Sequence, residues 1–214
     1  MRPRSLVPSF LIIMRPFFIS IRSKGFCEYN KFLHGRCFMQ PASATEIQPA
    51  ISLLEKTPRL LETLLGDLPG ELLHWKPVPD RWSISEVLAH LAALEQVYAE
   101  RMLRMIAEDS PALTKYDLAG AAARGEYSRG SAGENLAVFT RTRRSTLALL
   151  TGLPASAGGR TGVHSELGTV TLAHMLNEWA SHDLGHLRQI AELYRAREFH
   201  PHSGPFRKYS NPKP

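Results

Sequence analysis

Beyond residue 45, apolar side chains recur at helical intervals through most of the chain. Over 46–67 the positions Ile47, Ile51, Leu54, Leu61, Leu64 and Leu65 fall on one helical face. Comparable stripes run over 83–108, 132–150 and 169–197, separated by polar stretches rich in Gly and Pro. No run competes with them by alternating at the two-residue period of a half-buried strand. Four amphipathic segments of about five turns each predict an all-α protein, an antiparallel four-helix bundle.

Local punctuation supports these boundaries. Ser43 with Glu46, Ser83 with Glu86 and Ser131 with Glu134 each have the spacing of a capping box, in which a hydroxyl accepts from an orphan amide and a carboxylate reaches back to the cap. Pro58 falls inside the first helix, where it predicts a kink or a restart with Thr57 as the new cap. Two connections, 109–131 and 152–168, exceed the two to eight residues that a bundle needs, and such loops either shape a site or lack order.

Composition adds limits. A chain of 214 residues with 43% hydrophobic content can bury one substantial core. The expected organisation is an extension over 1–45, a bundle domain over 46–199 and a tail over 200–214. The net charge of +6 suggests a polyanionic partner until it is mapped. Arg2, Arg4, Arg15, Arg22, Lys24, Lys31 and Arg36 against Glu28 place all six charges in residues 1–45, and the remainder balances 19 basic with 19 acidic groups. The bundle therefore carries no net field for nucleic acid to follow.

The apolar run SFLIIMRPFFISI in the extension is thirteen residues long and interrupted by Arg15 and Pro16, too short and too broken to span a bilayer. Arg2 and Arg4 before it fit a targeting peptide, but no clean cleavage site follows. Met39 opens MQPASATEIQPA and reads as an alternative start, which makes residues 1–38 a disordered, targeting or mis-assigned extension. Cys27 and Cys37 both lie there, so the domain needs no oxidising compartment and owns no cysteine nucleophile. A cytoplasmic protein without a membrane partner is expected.

Candidate chemistry is concentrated in histidines. In NEWASHDLGH, Glu178, His182 and His186 follow one another at four-residue steps on one helical face. His90 occupies an inward stripe with Val87, Leu94 and Val97, where an unpaired imidazole is costly. One histidine from the second helix and two from adjacent turns of the fourth make a three-ligand metal site with an open fourth position. His34 lies in the extension, His200 and His202 follow the last helix, and His74 and His164 lie in joints where a solvated ring is the default. His174 reads as a cap or a solvated residue. Glu178 is either an acceptor for an imidazole N–H, a general base, or a polar residue at the bundle edge. Asp183 points away from the His182 side. Trp82 and Trp179 read as core or staple residues, and Arg141, Arg143 and Arg144 as a solvated face.

Pro58, DRWSISEVLAHLAALE and HMLNEWASHDLGHLRQI together resemble the DinB-like (DinB/YfiT-type) superfamily, over about residues 46–197. The resemblance implies an up-down-down-up bundle, often a homodimer, with His90, His182 and His186 as ligands of zinc or nickel. It implies two chemistries: transfer or isomerisation through a low-molecular-weight thiol acting on an electrophilic substrate, and metal-assisted hydrolysis. The competing class is a non-catalytic metal-binding stress or sensor protein. No Ser-His-Asp pattern, phosphate loop or dinucleotide fingerprint offers a rival mechanism.

Overall fold

The computed structural model describes residues 47–210 and 212. The extension over 1–45 with its cysteines, and the Ser43–Glu46 pair, lie outside the described residues. In chain order the main elements are α1 (Gln48–Leu65), α2 (Gly70–His74), α3 (Ile84–Ala107), β1 (Ala112–Leu113), α4 (Leu118–Ala123), α5 (Ala132–Leu150), β2 (Thr161–His164), β3 (Gly168–Thr171) and α6 (Leu172–Tyr194). α6 runs on into a π-helical turn, Arg195–Phe199. Short exposed turns over His200–His202 and Gly204–Tyr209 follow it. No helix among the described residues is long and apolar enough to cross a membrane.

Two apolar cores stacked along the bundle define the direction of each long helix. The first gathers Ile47, Ile51 and Leu54 at the start of α1, Tyr98, Met102 and Met105 toward the end of α3, Leu150 at the end of α5, and Leu172, Leu176 and Trp179 at the start of α6. The second gathers Leu61 and Leu65, Ile84, Leu88 and Leu91, Ala132 and Phe139, and Ile190 and Leu193. α1 and α6 thus run from the first core to the second, while α3 and α5 run from the second to the first. The order is up-down-down-up. Because α3 and α5 are parallel, the chain must travel back along the bundle between them, and this is why the 109–131 connection is long.

The capping boxes at Ser83–Glu86 and Ser131–Glu134 form as their spacing predicts. α6 begins with a third, in which the Thr171 hydroxyl accepts from the His174 amide and His174 Nδ1 accepts from the Thr171 amide. His174 is therefore a capping residue.

Pro58 does not end or restart α1, which continues through it. Proline removes the amide that would bond the carbonyl four residues back, here that of Leu54, at a cost of about 3 kcal/mol in a helix interior. The orphaned Leu54 carbonyl accepts instead from Arg143 Nη1 at 3.0 Å. Thr57 is not a cap: its hydroxyl donates to the Leu53 carbonyl at 3.1 Å within the helix.

The long connections also depart from expectation by forming a three-stranded sheet of order β1-β2-β3. β1 pairs parallel with β2, with Leu113 opposite His164, and β2 pairs antiparallel with β3 around a turn closed by Gly168 at φ 73°. The last helix accordingly begins at Leu172, with 168–171 in a strand. Arg160 ties the sheet to α3 by donating to the Met105 and Glu108 carbonyls. Arg104 and Arg101, near the end of α3, donate to the Ala112 and Thr114 carbonyls along the outer edge of β1.

Candidate metal centre

α3 and α6 are antiparallel neighbours, so residues early in α3 meet residues late in α6. His90 faces His182 and His186, which lie one turn apart on α6. His90 Nε2 stands 3.1 Å from His182 Nε2, which stands 3.2 Å from His186 Nε2. The three rings offer ligand atoms that all fall within 4.8 Å of one another. Nitrogens bound tetrahedrally to zinc at 2.0–2.1 Å are about 3.3 Å apart, so this spacing fits an ion with little rearrangement. Imidazole nitrogen is a borderline donor that suits several first-row divalent ions.

Charge favours the same use. Burial holds the pKa of His90 down to about 3 and that of His182 down to about 4, with neighbouring imidazoles adding to the depression. Burial also lowers His186. All three are neutral at physiological pH, the form in which a ring nitrogen has a lone pair to give. His90 is buried while His182 and His186 are half-buried, so the cluster opens toward solvent on the α6 side.

The surrounding contacts orient the rings. His186 Nδ1 pairs with Gln189 Oε1 at 2.9 Å, a bond that fixes the ring and leaves Nε2 for the cluster. His90 Nδ1 is buried with no partner among the described residues, so packing alone orients this ring. Trp82 lies 4.9 Å from His90, and Tyr127 meets His90 edge-on at 5.2 Å. Tyr127 comes from the α3–α5 connection, where its hydroxyl bonds that of Tyr116 at 2.9 Å. The long connection thus builds one wall. On the other side Tyr98 stacks on Trp179 at 4.9 Å and meets His182 edge-on at 5.8 Å.

Of the remaining sequence candidates, Trp179 is buried in the core, and Trp82 is half-buried, packed against the core edge as well as against His90. Glu178 is exposed and makes no hydrogen bond to an imidazole among the described residues. His164 is not a solvated loop residue: it sits on β2 at 9% exposure. Its Nδ1 accepts from the Glu166 and Leu167 amides.

Arg143 overturns the reading of a solvated face, which holds only for its neighbours Arg141 and Arg144. Its side chain is fully buried, and its five N–H groups are all used. Nε and Nη2 grip the two Glu95 oxygens at 2.9 and 2.8 Å, Nη1 and Nη2 reach Asp183 at 2.7 and 3.2 Å, and Nη1 also serves Leu54. Phe139 and Trp179 lie against the guanidinium at 4.7 and 5.0 Å. Asp183 points away from the histidines, as helical geometry predicts, and the hub joins all four long helices one layer beneath the cluster.

A four-helix bundle with parallel α3 and α5 and an internal three-histidine cluster between α3 and α6 defines a narrow structural class. The chain belongs to the DinB superfamily, whose family model matches residues 53–190, a span that includes all three histidines. A protein of Oceanobacillus iheyensis named "Putative metal-dependent hydrolase" is 26% identical over 149 residues, 70% of this chain and 86% of that one. Among solved structures, YfiT from Bacillus subtilis, described as "a probable metal-dependent hydrolase with an unusual four-helix bundle topology", matches with a TM-score of 0.66. The match has 22% identity and covers 72% of this chain and 89% of that one. At this identity the likeness speaks for the fold.

Proposed function

We propose that this protein is a divalent-metal-dependent enzyme, with His90, His182 and His186 holding zinc or nickel and a hydrolytic or thiol-transfer reaction carried out beside them. The observation that carries the reading is the convergence of three neutral imidazole Nε2 atoms, 3.1 and 3.2 Å apart along the set, on one solvent-reached point. The Oceanobacillus relative supports the hydrolytic arm by its name alone.

A divalent ion with three neutral protein ligands supplies a Lewis acid of largely uncompensated charge, able to lower the pKa of a bound water or thiol toward neutrality. The protein's own part is to hold the rings in place. Gln189 orients His186, while Trp82, Tyr127 and Tyr98 wall the cluster and exclude bulk water from its inner side. Burial keeps the Tyr98 and Tyr127 phenols well above their ordinary range, so both remain protonated and present no competing anion. Glu178 is the candidate for a proton acceptor at the rim, reached when its side chain turns from solvent toward His182, one helical turn away. As the assembly, we propose a homodimer, for which the partly exposed Leu60 on α1 and Leu184 on α6 offer apolar surface.

The test is elemental analysis of protein purified without an affinity tag, alongside the three His→Ala variants, followed by turnover assays with ester and amide substrates and with small thiols plus electrophiles. One metal per chain in the wild type, lost in the variants, is the expected result. Full metal content in all three variants would overturn the site. Stoichiometric metal with no turnover in either assay would favour a binding or sensor protein.

A further inference from the structure

Arg101 lies on α3 eleven residues beyond His90, which at 100° per residue returns it to within about 20° of the histidine's face. Tyr98 stands between them and touches His182. Arg101 is therefore one turn beyond the residue that walls the cluster, on the side where the small sheet lies. Its Nη2 donates to the Thr114 carbonyl at 2.6 Å, which pins the guanidinium beside β1. Its Nε and Nη1 groups have no partner among the described residues.

This arginine differs from its peers. Arg104, Arg143, Arg160 and Arg195 are also less than fully exposed, and each faces a carboxylate. Arg101 is half-buried and has no carboxylate at ion-pair distance among the described residues, its neighbour Glu100 acting on it only at longer range. Withdrawing a cation from water without a close counter-ion is costly, and an anionic ligand would offset that cost. The neighbouring strand adds a second donor. His164 is opposite Leu113, next to Thr114, and both backbone amides that bond its Nδ1 oblige the ring proton to sit on Nε2. Burial and the Arg101 charge push this imidazole's pKa down, so it stays a neutral donor.

We propose that Arg101, assisted by the His164 Nε2–H, receives a carboxylate group of the substrate whose reacting end lies at the histidine cluster. One guanidinium and one neutral donor balance a single negative charge. Nη2 keeps one N–H beyond its bond to Thr114, and with Nε or Nη1 beside it this forms an edge that matches the two oxygens of a carboxylate, whereas a phosphate dianion would retain an unmatched charge. The proposal rests on the reading of the cluster as a metal-dependent site, because that is what locates the reacting end.

Cobalt-loaded full-length protein separates the two ideas. Thiols from 3-mercaptopropanoate to 8-mercaptooctanoate, each paired with the alcohol of equal length, are titrated by calorimetry while the cobalt thiolate absorption band is recorded. At least one chain length should bind about tenfold more tightly as the acid than as the alcohol. R101Q should erase that preference, R101K should retain part of it, and H164Q should reduce it by less, all with the cobalt spectrum intact. No acid preference at any length, or a preference unchanged in R101Q, would overturn the proposal. If the wild type takes up no cobalt, the metal reading fails on its own, and hexanoate against hexanol on the metal-free protein decides the carboxylate site by the same R101Q comparison.

Discussion

The bundle holds two neighbouring polar clusters, one between α3 and α6 and one joining all four long helices, and they are built on opposite terms. Around Arg143 every donor is used: five N–H groups meet two carboxylates and a backbone carbonyl, and the rings of Phe139 and Trp179 pack against the guanidinium. Around His90 nitrogens point at one another, and His90 Nδ1 has no partner. A buried network that is complete resists change. One with lone pairs converging on a shared point is complete only when something outside the chain fills it. The contrast separates a structural clamp from a binding site without appeal to any relative.

The largest expected effect comes from breaking the clamp. R143M should leave Glu95 and Asp183 buried without their cation and the Leu54 carbonyl unmet, lowering unfolding free energy by about 3–5 kcal/mol in urea titrations. A loss under about 1 kcal/mol would show that the hub adds little. Simultaneous replacement of Glu95, Arg143 and Asp183 by apolar residues should recover much of the deficit, because no uncompensated charge then remains.

Acid should act on the other cluster. His90 and His182 have folded-state pKa values near 3 and 4, below the ordinary 6.5 of the unfolded chain, so between these values the unfolded state binds more protons. Stability of the metal-free protein should be fully present above about pH 6.5 and fall steadily as the pH drops toward 4. In H90A this acid slope should be shallower, and an identical slope would show that other groups govern it.

Gln189 is a subtler probe. Q189A removes the acceptor that fixes the His186 ring and should weaken metal affinity by roughly tenfold, read by competition with a chromophoric chelator. Unaltered affinity would mean that packing alone holds the ring.

The smallest effect sharpens the contrast most. H182A should change the stability of the metal-free protein by about 1 kcal/mol or less, since it removes an imidazole whose Nε2 makes only shared contacts with other rings. It should nonetheless abolish the rise in Tm that added zinc or nickel gives the wild type. Wild-type protein whose Tm ignores both metals would remove the basis for the comparison.

Much of this was legible in the chain because it depends on near neighbours. Helical stripes fix which residues face inward, Ser83 and Ser131 announce their helices three residues ahead of Glu86 and Glu134, and the four-residue step between His182 and His186 sets two imidazoles on one face whatever the tertiary fold. His90 was readable for a related reason: a polar ring in an apolar stripe marks itself. Glu178 shared the stripe of His182 and His186 but is exposed, because spacing places a residue on a helix face without saying how far that face is covered. The order of the helices followed from family resemblance, since periodicity carries no information on direction.

What the tertiary structure decided lies at long range. Arg143 sits among other arginines on a polar helix, and nothing nearby tells it from them. Its partners are 40, 48 and 89 residues away, and only packing four helices together places a carbonyl freed by Pro58 beside two inward carboxylates. Strand β1 has two residues, too few to show a period, and exists because β2 and the arginines of α3 supply its partners. Local sequence determined which side chains could meet; the free energy of removing charges and carbonyls from water decided which of them did.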